Sequence, residues 1–191
     1  MSTALTKKRF NAVPRRAVTA FAAALIASLI ATASASAQVA PPTTTTTPAP
    51  SAYSQVFPIS TSIAHYFGDG FGAGRGKRAH QGVDVFAACG APLIANSNGR
   101  VVFRAFHPAA GNYIVIRYKK LKQDYMYAHL AAPAIVLKNQ RVIVGQQVGS
   151  VGATGNASGC HLHFELWLGK WYRGGRAINP LPALTFWDSY S

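Results

Sequence analysis

From residue 53 onward no stretch keeps a helical period for more than a turn or two. Apolar and β-branched runs of four to eight residues recur instead, each cut short by Gly, Asn or Pro. The runs fall at 82–86, 92–95, 100–106, 113–118, 125–129, 141–144, 147–151 and 161–168. Turn-forming strings separate them, among them His107-Pro108-Ala109-Ala110-Gly111-Asn112 and Ser97-Asn98-Gly99. Short runs at this spacing predict an all-β, antiparallel fold. With 49% hydrophobic residues a substantial core can form, and 191 residues fit one domain plus extensions better than two domains.

The extensions lie at the N-terminus. Lys7, Lys8, Arg9, Arg15 and Arg16 precede an apolar, Ala-rich run at 17–33, and Ala35-Ser36-Ala37 supplies a small-x-small cleavage site. Residues 1–37 are therefore expected to be a secretory signal. A retained anchor is the competing reading, but the run is short and weakly apolar against the ~20 residues a bilayer core needs. Residues 38–52 carry four prolines and a threonine run, with nothing to bury, and are expected to be an extended linker. The folded domain is expected at 53–191. The whole chain carries a net charge of +14, and losing the five basic residues of the signal leaves about +9. Such a charge favours polyanions. For an exported protein these are anionic wall polymers before nucleic acid, for which no motif is present.

Three segments concentrate metal-binding side chains: His80-Gln81-Gly82-Val83-Asp84, Tyr127-Ala128-His129-Leu130, and Cys160-His161-Leu162-His163-Phe164-Glu165. Four of the 6 histidines and two of the 5 acidic residues fall in them. If the third segment is a strand, His161, His163 and Glu165 share one face, and Cys160, Leu162, Phe164 and Leu166 share the other. His80 and Asp84 would stand about 13 Å apart in a flat strand, too far for one ion unless the chain bends, which Gly82 permits. A buried His80–Asp84 ion pair explains that segment equally well taken alone. Together the segments hold the parts of a catalytic zinc site, which uses three imidazole or carboxylate ligands and a water.

These three strings, in this order, resemble the lysostaphin/LytM-type zinc endopeptidases that act on peptidoglycan. Residues 154–166 (TGNASGCHLHFEL), the spaced glycines at 145, 149 and 152, and the NYIVI run at 112–116 resemble them too, over about 57–180. The resemblance implies that His80, Asp84 and His163 bind one zinc ion and that His129 and His161 are catalytic. It also implies an antiparallel β-sheet or sandwich whose long loops form a groove above the metal, and peptidoglycan peptides as substrate. Members of such families that act only as wall-binding regulators would lack one of these five residues; this chain keeps all five. The His-Glu-x-x-His helix of the other common zinc-protease design is absent.

Cys89 and Cys160 are the only cysteines, and an even count in an exported chain points to a disulfide between them. Cys160 does not share a metal with His161, since neighbours on a strand face opposite ways. Glu165 is expected either to orient a ligand or to form a strand-end salt bridge. Tyr66 and Asn98 are expected at the groove rim or in loop packing, and His65 and His107 at the surface.

Overall fold

The computed structural model describes residues 54–191, so the expected signal and linker lie outside the described residues. Twelve strands follow in chain order: β1 (His65–Phe67), β2 (Gly74–Arg75), β3 (Arg78–Ala79), β4 (Val83–Ala87), β5 (Pro92–Ile94), β6 (Gly99–His107), β7 (Gly111–Tyr118), β8 (Gln123–Leu130), β9 (Arg141–Val142), β10 (Gln147–Ser150), β11 (His161–Leu168) and β12 (Arg176–Ile178). All eight sequence-predicted runs form strands within a residue or two of their expected ends. The main sheet has the order β1-β4-β11-β8-β7-β6-β9 and is antiparallel throughout. One edge of β11 is divided: β4 pairs with residues 161–164, and β12 with 166–168. β5 and β10 form a small second sheet, and β2 and β3 a two-residue ladder. No helix among the described residues is long and apolar enough to cross a membrane.

The alternation of side chains assigns the two faces. Leu162, Phe164 and Leu166 of β11, Val83 and Val85 of β4, and Tyr125 and Tyr127 of β8 enter the main core. That core also takes Leu93 and Val148 from the small sheet, and Leu184 and Trp187 from helix α1 (Leu181–Asp188). The helix is short, and two rings fix it: Trp187 meets Tyr125 and Phe164 edge-on, with centroids 6.2 and 6.3 Å apart. The opposite face of the sheet carries a small cluster of Val115, Met126 and Ala128, with Phe103, Tyr113 and Trp171 packed on it.

His65 departs from the expected surface position. It lies in β1 with its ring stacked on Phe57 at 4.7 Å and Nε2 3.2 Å from Asp188, and its side chain is only 10% exposed. The three-residue strand is too short to show its inward side in the sequence.

Cys89 and Cys160 are joined in a disulfide across a separation of 71 residues. It ties the chain just beyond β4 to the residue before β11. A loop that long adds about 4 kcal/mol in the chain-entropy treatment. The double Cys89→Ser/Cys160→Ser variant is thus expected to lose up to about that much in urea denaturation, with the strands retained by circular dichroism.

Candidate active site

β4 and β11 lie in a register that sets His163 opposite Asp84 and His161 opposite Phe86. The pleat sends His161, His163 and Glu165 to the face away from the core, and Asp84 between the core residues Val83 and Val85 faces the same way. Facing residues of neighbouring strands come within contact distance, so the register by itself joins two segments 79 residues apart in sequence.

His80 reaches the same place from the loop ahead of β4. Its backbone N–H donates to Ala73 at 2.8 Å, its carbonyl accepts from Gly72 at 2.8 Å, and its Nδ1 donates to the Gly70 carbonyl at 2.9 Å. The turn into β4 does pass through Gly82, though not for freedom of φ. A side chain at Gly82 would strike the Phe164 carbonyl oxygen and lie 2.9 Å from His163 Cε1. Close approach of the loop to β11 is what requires glycine.

Three donor atoms converge. His80 Nε2 lies 2.8 Å from His163 Nδ1 and 3.1 Å from Asp84 Oδ1, and the last two are 3.0 Å apart. The outer atom of each group is already engaged. The Gly70 carbonyl accepts from His80 Nδ1, Glu165 Oε1 accepts from His163 Nε2 at 3.1 Å, and Arg75 Nη2 donates to Asp84 Oδ2 at 2.6 Å. A carbonyl only accepts, so His80 Nδ1 carries the hydrogen and Nε2 presents a lone pair inward. The same reasoning turns His163 Nδ1 and Asp84 Oδ1 inward. Three lone pairs this close repel unless a cation sits among them, so the donor set fits a metal ion.

Without a metal ion, a proton must take that place. Burial opposes charge on His163, yet hydrogen bonds to Asp84 and Glu165 lift it to about 9. Burial would raise Asp84, but hydrogen bonds from His163 and His80 hold it well below the usual carboxylate range. A histidine raised in the folded state stabilises fully below its ordinary value of 6.5, and that contribution is lost as pH rises through about 9. In chelator, therefore, the melting temperature is expected to fall by several degrees between pH 6 and 10, and the decline is expected to disappear when metal replaces the proton.

His129 and His161 flank the cluster. Their rings stand 4.7 Å apart, and His161 Nε2 is 3.7 Å from Asp84 Oδ1. Each is held by its outer nitrogen: His161 Nδ1 donates to the Gly159 carbonyl at 2.9 Å, and His129 Nδ1 to the Thr154 carbonyl at 2.8 Å. In the neutral ring this tautomer turns the Nε2 lone pair inward. Burial pushes His129 down to about 4, against the pull of Thr154 and Asp84, so at neutral pH it is an acceptor.

Simple alternation would put His129 in the core beside Tyr127. The ladder between β7 and β8 slips near Asn112, and His129 adopts φ 61, a left-handed conformation costly for a branched-free but bulky residue. The irregularity turns His129 outward and returns Leu130 to the core. Thr154 secures it, accepting from the Asn112 N–H at 2.9 Å and donating to the Leu130 carbonyl at 2.6 Å.

All five residues lie on the floor of a groove of about 690 Å³, walled by Tyr113, Met126, Asn156 and Trp171 among others. Glu165 lies in mid-strand rather than at a strand end and pairs with His163 at 3.1 Å, as either expected role requires; it also accepts from Trp167 Nε1 at 2.7 Å and Trp171 Nε1 at 3.0 Å. Glu165→Gln is expected to weaken metal binding about 10–100-fold in competition with a chelating dye, with little change in folding. His107 is exposed on the groove wall. Tyr66 is exposed and stacks on Phe86 at 5.1 Å. Asn98 lies away from the groove and accepts from the Val144 N–H at 2.8 Å. Arg75 and the two tryptophans give no periodic or motif signal in the sequence, whereas Thr154 opens the TGNASG string.

A model of peptidase family M23 matches residues 78–180. The peptidoglycan DD-endopeptidase ShyA of Vibrio cholerae is 39% identical over 106 residues, covering 54% of this chain and 23% of that protein. The DD-carboxypeptidase/endopeptidase Mpg of Neisseria meningitidis is 34% identical over 104 residues, 54% of this chain and 22% of that protein. The chain thus spans about a quarter of the length of the curated relatives it matches. Lysostaphin from Staphylococcus simulans superposes with a TM-score of 0.63 at 25% identity, covering 74% of this chain and 57% of that one. A zinc-containing peptidase from Vibrio cholerae gives 0.58 at 29% identity, with 66% and 39% covered. The family match takes in His80, Asp84, His129, His161 and His163 and extends over more than half of the residues; the chain belongs to peptidase family M23.

Proposed function

We propose that this chain is an exported zinc endopeptidase that hydrolyses amide bonds in the stem or cross-bridge peptides of bacterial peptidoglycan. The observation that carries the reading is the set of five inward lone pairs, three of them within 3.1 Å of one another, on the floor of an open groove. Residues 1–37 act as the export signal and 38–52 as a spacer ahead of the domain at 53–191. Its site of action is outside the cytoplasm, at the cell wall. The relatives named above as peptidoglycan endopeptidases support the substrate class.

His80, Asp84 and His163 hold the zinc. Zinc so held supplies Lewis acidity, lowering the pKa of water toward 7 and polarising a carbonyl. His129, neutral and with Nε2 inward, accepts a proton from the attacking water and can return it to the leaving amine. His161 Nε2, once protonated, donates to the oxyanion as charge develops there.

Wall fragments incubated with the domain, with and without chelator and with zinc restored, test the proposal by mass spectrometry. New peptide termini that vanish with chelator and return with zinc identify the bond. Intact fragments from several wall types, with zinc bound, would replace the enzyme by a wall-binding regulator.

A further inference from the structure

A second cavity of about 700 Å³ opens beside the groove, and Arg78, His80, Gln81 and Tyr172 border both. Tyr172 Oη donates to Gln81 Oε1 at 2.6 Å at the boundary between them. Arg78 and Arg176 line the cavity, and Trp167 and Tyr172, with ring centroids 4.8 Å apart, give it an aromatic wall.

The charge in this cavity has no internal counterpart. The chain has 5 acidic side chains, and each already faces a basic side chain. Asp69 and Asp84 share Arg75, Asp124 takes Arg117, Asp188 takes His65, and Glu165 takes His163. Arg78 and Arg176 are exposed; their backbones pair in the ladders with Arg75 and Leu168, but neither guanidinium forms a hydrogen bond or ion pair with another described residue. Two guanidiniums on one cavity repel each other. Their planar donor forks match a carboxylate in paired hydrogen bonds.

The cavity is within a substrate's reach of the metal ligands. Arg78 precedes His80 by two residues, so their Cα atoms are within about 7 Å. Trp167 follows His163 by four residues along β11, about 13 Å. An extended peptide covers that distance in about four residues.

We propose that this cavity is a subsite for a free carboxylate on the cleaved peptide, held by Arg78 and Arg176 within about four residues of the scissile amide. The inference rests on the peptidase reading above and narrows its substrate to wall peptides with an un-amidated carboxyl group. Phosphate of a wall polymer would meet the same guanidiniums. The aromatic wall and the opening into the groove favour a peptide side group instead.

Two forms of one cross-linked wall peptide, its side carboxyl free or amidated, distinguish the cases when titrated into the zinc-loaded chain. Tryptophan fluorescence reports binding through Trp167, and mass spectrometry reports cleavage. The free form is expected to have a kcat/KM at least ~10-fold higher, carried by KM, as a charge-assisted contact implies. That preference is expected to collapse toward unity in Arg176→Gln and in Arg78→Gln. Equal handling of both forms by the unmodified chain overturns the subsite and leaves the peptidase reading standing. Equal losses on both forms in the variants, or displacement of the peptide by millimolar inorganic phosphate with no preference between forms, overturn it as well. Selective, arginine-dependent binding without cleavage establishes the subsite and refutes the peptidase.

Discussion

Asp84→Asn is expected to empty the metal centre and reduce amide hydrolysis by roughly 10³–10⁴-fold, the equivalent of several kcal/mol of Lewis-acid stabilisation. The substitution keeps the shape of the side chain, so the loss is chemical. Asp84 contributes the only carboxylate among the three converging donors, and Arg75 grips its other oxygen at 2.6 Å. An amide there either turns its NH2 inward, aiming hydrogens where a cation should be, or turns it against the Arg75 guanidinium. Zinc content by elemental analysis should drop from one per chain to near zero. A variant that retains stoichiometric zinc and cleaves normally would remove Asp84 from the ligand set.

His129→Ala and His161→Ala are each expected to cost about 10²–10⁴-fold in kcat, with zinc retained, as the loss of a positioned proton-transfer group does. Groups that act as a unit are not additive, so the double variant should be little worse than the poorer single one. His129 also offers a control for its unusual backbone. Because it sits at φ 61, His129→Gly should melt higher than His129→Ala, since glycine adopts that conformation without a Cβ clash. Activity should be equally low in both. If His129→Ala lost zinc, the ring would have to be counted among the ligands.

Much of this architecture is legible in the sequence, and the exceptions have physical causes. The long strands announce themselves because alternation over eight residues, as in β11, is hard to mistake. β1, β2, β3 and β12 have two or three residues each, too few for a period to appear. Helix α1 has a proline in its first turn, and Asn179 accepts from the Leu181 N–H at 3.0 Å, but with no acidic first turn, no basic last turn and only eight residues it is too short for a helical period to stand out. At the site, one strand of His-x-His-x-Glu fixes which side chains look the same way, and the disulfide follows from a count of two. What the sequence withholds is register and irregularity. Nothing in residues 69–75 marks Arg75 as the partner of Asp84. The turn of His129 out of the core depends on a slip in a ladder, which no residue pattern encodes. Gly82 was expected for its flexibility and is needed for its smallness.

Every carboxylate side chain of the protein is spent on an internal or local partner, two of them on Arg75. The remaining lysines and arginines therefore present a surface of almost one sign. Two copies meeting in solution repel, while a polyanionic mesh draws each copy in from beyond contact. At physiological ionic strength that pull extends only about 8 Å, so capture should be fast in dilute salt and fade steeply as salt rises. The same single-signed coat lets a captured molecule exchange one anionic foothold for the next without fully leaving. On the peptidase reading proposed above, holding to an anionic mesh and cutting its peptides are expected to be separable, the first by salt and the second by chelator.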